Sequence, residues 1–159
     1  RGAFRESISV QEDAIASMKA VAGPMHPSVL LLRSNFATTL LGAGELERAR
    51  REYLELLQLC EVEGRVPHVV TSLYLNLAEL ERQDHHLDLA ESYADKAIAS
   101  LGDKRDERRR AIAYSNLAAI LEARGRYTEA LEASMVAIEI MGRTSGVSDP
   151  ASVALERVN

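Results

Sequence analysis

The residues of this chain best suited to chemistry are four histidines, a single cysteine and a short basic cluster. His85 and His86 are adjacent, while His26 and His68 stand alone. A zinc centre needs several ligands converging, usually with cysteines or acids at set spacing, and no such spacing is present. No metal and no cofactor are therefore expected. Cys60 ends an apolar helical run with Leu56 and Leu57, which marks it as a buried structural thiol. As the only cysteine it can form no internal disulfide, which fits a reducing compartment and a cytoplasmic location. The chain has no nucleophile elbow, no phosphate-binding glycine loop and no helical H-E-x-x-H. This segment is accordingly expected not to be an enzyme, whatever domains its full-length parent carries.

The densest basic stretch, Lys104 to Arg110, is interrupted by Asp106 and Glu107 and has no interleaved aromatic. It reads as the solvated start of a helix rather than a nucleic-acid contact. The net charge is −5 with both signs interspersed, so neither nucleic acid nor an anionic membrane is an expected partner. No apolar run approaches the roughly 18 residues that span a bilayer.

The remaining chemical signal is a set of asparagines inside apolar segments. Asn35, Asn76 and Asn116 lie 41 and 40 residues apart. Around each, the same pattern recurs over Ser34–Leu57, Leu75–Ile98 and Ser115–Ile138. An alanine follows two residues after the asparagine (Ala37, Ala78, Ala118), and a second follows after a turn (Ala49, Ala90, Ala130). A large apolar residue precedes that second alanine: Leu46, Leu87 or Tyr127. In the third copy Tyr114, Leu117, Ala118 and Leu121 keep helical spacing, as do Tyr127, Ala130, Leu131, Ser134, Ile138 and Met141. Each copy is thus two antiparallel amphipathic helices joined by a short turn. The alanines belong where the helices cross, because small side chains let the axes come close. Gly44 and Gly125 suit the left-handed residue that closes a helix, and His85 stands in their place in the second copy. That turn is expected to be the least ideal of the three.

The implied organisation is one solenoid over residues 1–159. Residues 1–24 read as the second helix of a truncated repeat, with Phe4 in the place of Leu46. Three repeats follow at 25–65, 66–102 and 103–146, and a further one starts at 147–159. Pro27, Pro67 and Pro150 suit first helical turns, and Asp149 suits a cap. Gly102 ends a helix ahead of the third repeat. "DPASVALERVN" resembles "HPSVLLLRSN", which aligns Asn159 with Asn35. The chain begins at Arg1 without a methionine and is expected to be a piece of a longer protein.

This pattern resembles the tetratricopeptide repeat (TPR) family, over nearly the whole chain. The alanine pairs carry the likeness, and "RGRYTEA" (Arg124 to Ala130) is the most typical run. The period near 40 and "GPMHPSV" (Gly23 to Val29) are similar to the long kinesin-light-chain type. Leu56, Glu81 and His85 depart from the pattern, which touches fine packing rather than fold. The resemblance implies an all-α, right-handed superhelix of antiparallel hairpins, and a bacterial fragment whose repeats accompany kinase, ATPase or regulatory domains. It also implies that first helices line a concave face where extended peptides bind.

Each column asparagine sits about 200° around the helix from its core alanine, off the buried stripe. In similar proteins the amide there holds a peptide backbone, since it donates and accepts at once. The alternative is that these amides bond to the neighbouring helix and only set repeat geometry. On the same face the expected neighbours are Leu31, Ser34, Thr38 and Leu41; then Ser72, Leu75, Glu79 and Arg82; then Ile112, Ser115, Ala119 and Glu122. Arg82 is the only base among them, so a carboxylate clamp is not expected, and an apolar or weakly charged peptide is. The expected function is a non-catalytic scaffold for a protein or peptide. The alternative is a regulatory or self-association module of a larger signalling protein such as a kinase, with end-to-end stacking into a homo-oligomer. A small-molecule or pheromone sensor ranks third.

Overall fold

Local signals decide where the helices start. A computed structural model describes residues 2–63, 67–102 and 106–144. Among them run α1 (Gly2–Ala22), α2 (Pro27–Gly42), α3 (Leu46–Glu63), α4 (Pro67–Gln83), α5 (Leu87–Ser100), α6 (Glu107–Ala123) and α7 (Tyr127–Thr144). Pro27 and Pro67 are first residues of their helices, where a missing N–H costs nothing. His26 caps α2 through Nδ1, which accepts from the Ser28 N–H at 3.2 Å. α6 has no proline. Asp106 caps it instead, accepting from the Arg109 N–H at 3.2 Å. Asp149–Pro150, the segment 147–159 with Asn159, and Lys104 lie outside the described residues, as do the side chains of Phe4 and His68.

The three turns close alike. Gly44, His85 and Gly125 donate to the carbonyls of Leu41, Arg82 and Glu122 at 3.0, 3.2 and 2.9 Å. The next N–H of each, from Glu45, His86 and Arg126, reaches Leu40, Glu81 and Leu121 at 2.9, 2.8 and 2.9 Å. This paired closure needs a left-handed residue at its centre. Gly44 and Gly125 take φ of 80° and 75°, and His85 takes 60°. His85 is the only non-glycine with positive φ among the described residues.

The turns fold the chain into hairpins α2–α3, α4–α5 and α6–α7, with α1 packed on α2. Successive hairpins stack, so α4 touches both α2 and α6 and the first helices form one row. Ala37, Ala49, Ala78 and Ala90 are fully buried, and Ala118 and Ala130 nearly so. One core joins Leu30, Phe36, Leu40, Tyr53, Leu56 and Cys60 to Leu73, Leu77 and Leu80 of the next hairpin. Burial raises the Cys60 thiol above its ordinary range and keeps it protonated. In the next layer Ala78, Ala90 and Ala94 close around Ile120.

Two expectations from the sequence change. Glu81, at a position where an apolar residue is usual, is buried with its side chain 3% exposed. Arg50 from α3 holds it, with Nε 2.8 Å from Oε1 and Nη2 3.1 Å from Oε2, while His86 Nδ1 lies 2.9 Å from Oε2. A buried carboxylate persists only when paired in this way. The second change concerns α7. Ala133, Ala137 and Ile140 face inward, whereas Tyr127, Leu131, Ile138 and Met141 are exposed, Tyr127 to 70%. These four occupy the positions of Leu46, Arg50, Leu57 and Cys60 in α3, and α4 helps to cover the last three. α7 therefore has two apolar faces, and the helical spacing marked the outer one.

Replacing His85 with glycine removes the left-handed penalty, partly offset by glycine's greater freedom when unfolded. His85→Gly should stabilise the chain by about 0.5–1 kcal/mol, read as a higher thermal midpoint by circular dichroism. Ala90 leaves no room at its crossing. Ala90→Leu should cost about 1–3 kcal/mol, measured by urea denaturation.

Candidate peptide-binding groove

The row of first helices, α2, α4 and α6, presents a face that the second helices do not cover. Near its start lies a cavity of about 360 Å³ lined by Pro27, Leu30, Leu31, Ser34, Val69, Ser72 and Arg109. Three helices contribute to it, so it exists only because the hairpins stack. Leu31, Ser34 and Ser72 were expected on this face, and the fold brings them together. Pro27, Leu30, Val69 and Arg109 were not. Arg109 arrives from the first turn of α6, and no spacing rule along the chain marks it. Its guanidinium is ion-paired with the cap residue Asp106.

Asn35 follows Ser34, Asn76 is one turn beyond Ser72, and Asn116 is about two turns beyond Arg109. Asn35 is exposed, and Asn76 and Asn116 are half-buried. None of the three side-chain amides has a hydrogen-bond partner among the described residues.

The other expected lining residues divide. Leu75 is a correction: it is buried with Ala97, Leu101 and Ala113 between α4, α5 and α6. It adjoins Asn76 in sequence, and one step along a helix turns a side chain by about 100°, here into the core. The Thr38 hydroxyl donates to the Ser34 carbonyl at 3.0 Å and pairs with the Tyr53 hydroxyl at 2.9 Å. It fastens α2 to α3. Ser115, Ala119 and Glu122 line a second cavity of about 480 Å³ between α6 and α7, along with Tyr127, Leu131, Ile138 and Met141.

Arg82 and Glu79 satisfy one another. Arg82 Nε and Nη2 each lie 2.8 Å from a Glu79 oxygen, and Gln83 Nε2 is 2.7 Å from Oε1. The Arg82 hydrogen bond holds the Glu79 carboxyl below its ordinary value. The groove's middle is therefore close to neutral.

Glu81, Asp84 and His86 place three metal-type ligand atoms within 4.8 Å of one another. Arg50 already sits on both Glu81 oxygens and on Asp84. A metal ion there would have to displace one cation with another, and it has little advantage.

The architecture is that of an α-solenoid, a stack of alike helical hairpins carrying an open face of first helices. The chain resembles the tetratricopeptide-repeat family, whose model matches residues 110–151. A TPR repeat-containing thioredoxin from Arabidopsis thaliana is 31% identical over 97 residues, covering 61% of this chain and 13% of that protein. The crystal structure of BtubC (BKLC) from P. vanneervenii matches with a TM-score of 0.76 at 22% identity, over 94% of this chain and 60% of that one. This chain thus spans a small part of the first relative and under two thirds of the second. Repeats of this family generally act as non-catalytic scaffolds for protein partners. No helix among the described residues is long and apolar enough to cross a membrane.

Glu79 gives a pH prediction with a definite sign. Its folded value is depressed, so the pair's contribution is present above the ordinary value of 4.5 and is lost as pH falls through the lowered one. Glu79→Gln should therefore flatten the acid limb of a stability–pH profile and leave the alkaline limb unchanged. Urea midpoints measured across both limbs, from acid through neutral to alkaline pH, test this.

Proposed function

We propose that this segment binds an extended peptide or partner helix along the face of α2, α4 and α6, with Asn35, Asn76 and Asn116 holding the ligand backbone. The observation that carries this reading is the three amides without partners among the described residues, beside a cavity with Leu31 and Ser34 in its wall. An amide that closed only the repeat geometry would be spent on a neighbouring helix. Apolar Leu30, Leu31 and Val69 favour an apolar side chain in the cavity, and Ser34 and Ser72 flank it. The self-paired Glu79 and Arg82 favour a ligand of low charge. Catalysis forms no part of the proposal.

A binder selected from a displayed random-peptide library provides the probe. Asn76→Ala/Asn116→Ala should weaken it about tenfold or more in fluorescence anisotropy, since each peptide–amide bond contributes roughly 0.5–1.5 kcal/mol. Unchanged affinity with helicity retained would sink the groove reading.

A second reading rests on α7. Tyr127, Leu131, Ile138 and Met141 make an exposed apolar stripe of the kind that marks an interaction surface. It would serve self-association, or docking within a larger signalling protein. Light scattering over a concentration series should then show a dimer that Leu131→Lys/Ile138→Lys abolishes. A strict monomer at all concentrations counts against the self-association form of this reading.

A further inference from the structure

The hairpins are alike enough that their stacking order is itself a problem. Each second helix presents the same kind of face to the first helix of the next hairpin. The faces differ in bulk, with Tyr53, Leu56 and Leu73 at the first junction where Ala94, Ala97 and Ala113 stand at the second. All are apolar, so size is the only thing in the packing that opposes α3 accepting α6 in place of α4, within one chain or between two copies. Repeat proteins are prone to this failure.

One pair of equivalent positions differs in charge at the two junctions. The residue directly after the second core alanine is Arg50 in α3 and Glu91 in α5. The residue eight places after the column asparagine is Asp84 beyond α4 and Arg124 beyond α6. At the first junction Arg50 is ion-paired with Asp84 and also holds buried Glu81. At the second, Glu91 is ion-paired with Arg124 at 2.9 Å and with Arg126 at 2.7 Å. The same two positions meet in both cases, with the polarity reversed. Exchanging hairpins would set Arg50 against Arg124, or Glu91 against Asp84.

We infer that this reversed polarity sorts the hairpins: Arg50 with Asp84 and Glu91 with Arg124 act as opposite keys that admit only the correct neighbour. The attraction across either junction is modest by itself. The discrimination is larger, because a wrong stack loses one attraction, gains one like-charge contact and leaves Glu81 buried without its base. Specificity of this kind depends on the mismatch as much as on the match. Glu81 gains a reason to be charged: it deepens the first key at a site where an apolar residue would pack equally well. The third hairpin has Leu131 at the key position, so α7 exerts no such selection by charge.

The test uses the whole chain. Glu91→Arg sets like charges against Arg124 and Arg126 and should lower the thermal midpoint by about 2–4 °C. Glu91→Arg/Arg124→Glu/Arg126→Gln restores attraction and should recover most of that loss. It also gives both junctions the same polarity, which removes the sorting. After refolding from denaturant at high protein concentration, this triple variant should yield swapped oligomers, seen by size exclusion with light scattering and absent from its never-unfolded sample. The original sequence should return to its starting species. Adding 1 M sodium chloride should erase the difference between the two. A triple variant that refolds as cleanly as the original overturns the sorting role, as does Glu91→Arg melting at the original midpoint.

Discussion

Everything in this fold depends on how closely two helices can approach at an alanine. Ala37 against Ala49, and Ala78 against Ala90, leave no side-chain bulk at the crossings. The axes can then lie near the short end of the roughly 8–10 Å range. A close hairpin needs little bulk inside itself, so its larger apolar residues are free to face the next hairpin. Leu73, Leu77 and Leu80 of α4 do this against Tyr53, Leu56 and Cys60 of α3. The core is therefore shared between neighbours rather than enclosed within each repeat, and stacking is a condition of stability.

The same constraint shapes what the first helices leave exposed. A second helix is used on two sides, by its own first helix and by the next hairpin. A first helix such as α4 packs against α5, the preceding α3 and its row neighbours α2 and α6, and leaves a narrow strip that includes half-buried Asn76. There a polar side chain costs nothing, and Asn35, Asn76 and Asn116 keep their amides without partners among the described residues. α7 shows the other consequence. No following helix covers it among the described residues, and its outer apolar stripe stays exposed.

Electrostatics enters where shape repeats itself. Apolar packing separates the junctions only by size, Tyr53, Leu56 and Leu73 at the first standing where Ala94, Ala97 and Ala113 stand at the second, because the attraction itself is non-directional. Charge separates them by sign. Arg50 and Glu91 occupy matching positions with opposite sign, and each meets its complement. Arg50 is held protonated well beyond its ordinary range, first by its hydrogen bond to Glu81. Glu81 looked like a blemish in an apolar helix. Its three contacts, two from Arg50 and one from His86, make it a joint between repeats.

The sequence by itself determined the all-helical fold, the alanine crossings and the three turns, including the strained one at His85. These rest on local periodicity and on backbone conformations that few residues tolerate, so they can be read along the chain. It also singled out Asn35, Asn76 and Asn116, which recur at equivalent positions of the three first helices. Only the tertiary structure decided which side of α7 is the outer one, that Leu75 turns inward, and that Arg82 is spent on Glu79. It alone brought Arg109 to the cavity of α2 and α4, and Arg50 to Glu81 from 31 residues away. Those outcomes depend on how one hairpin is set against the next. That is a relation between distant residues, and the helical repeat of a single segment carries no record of it.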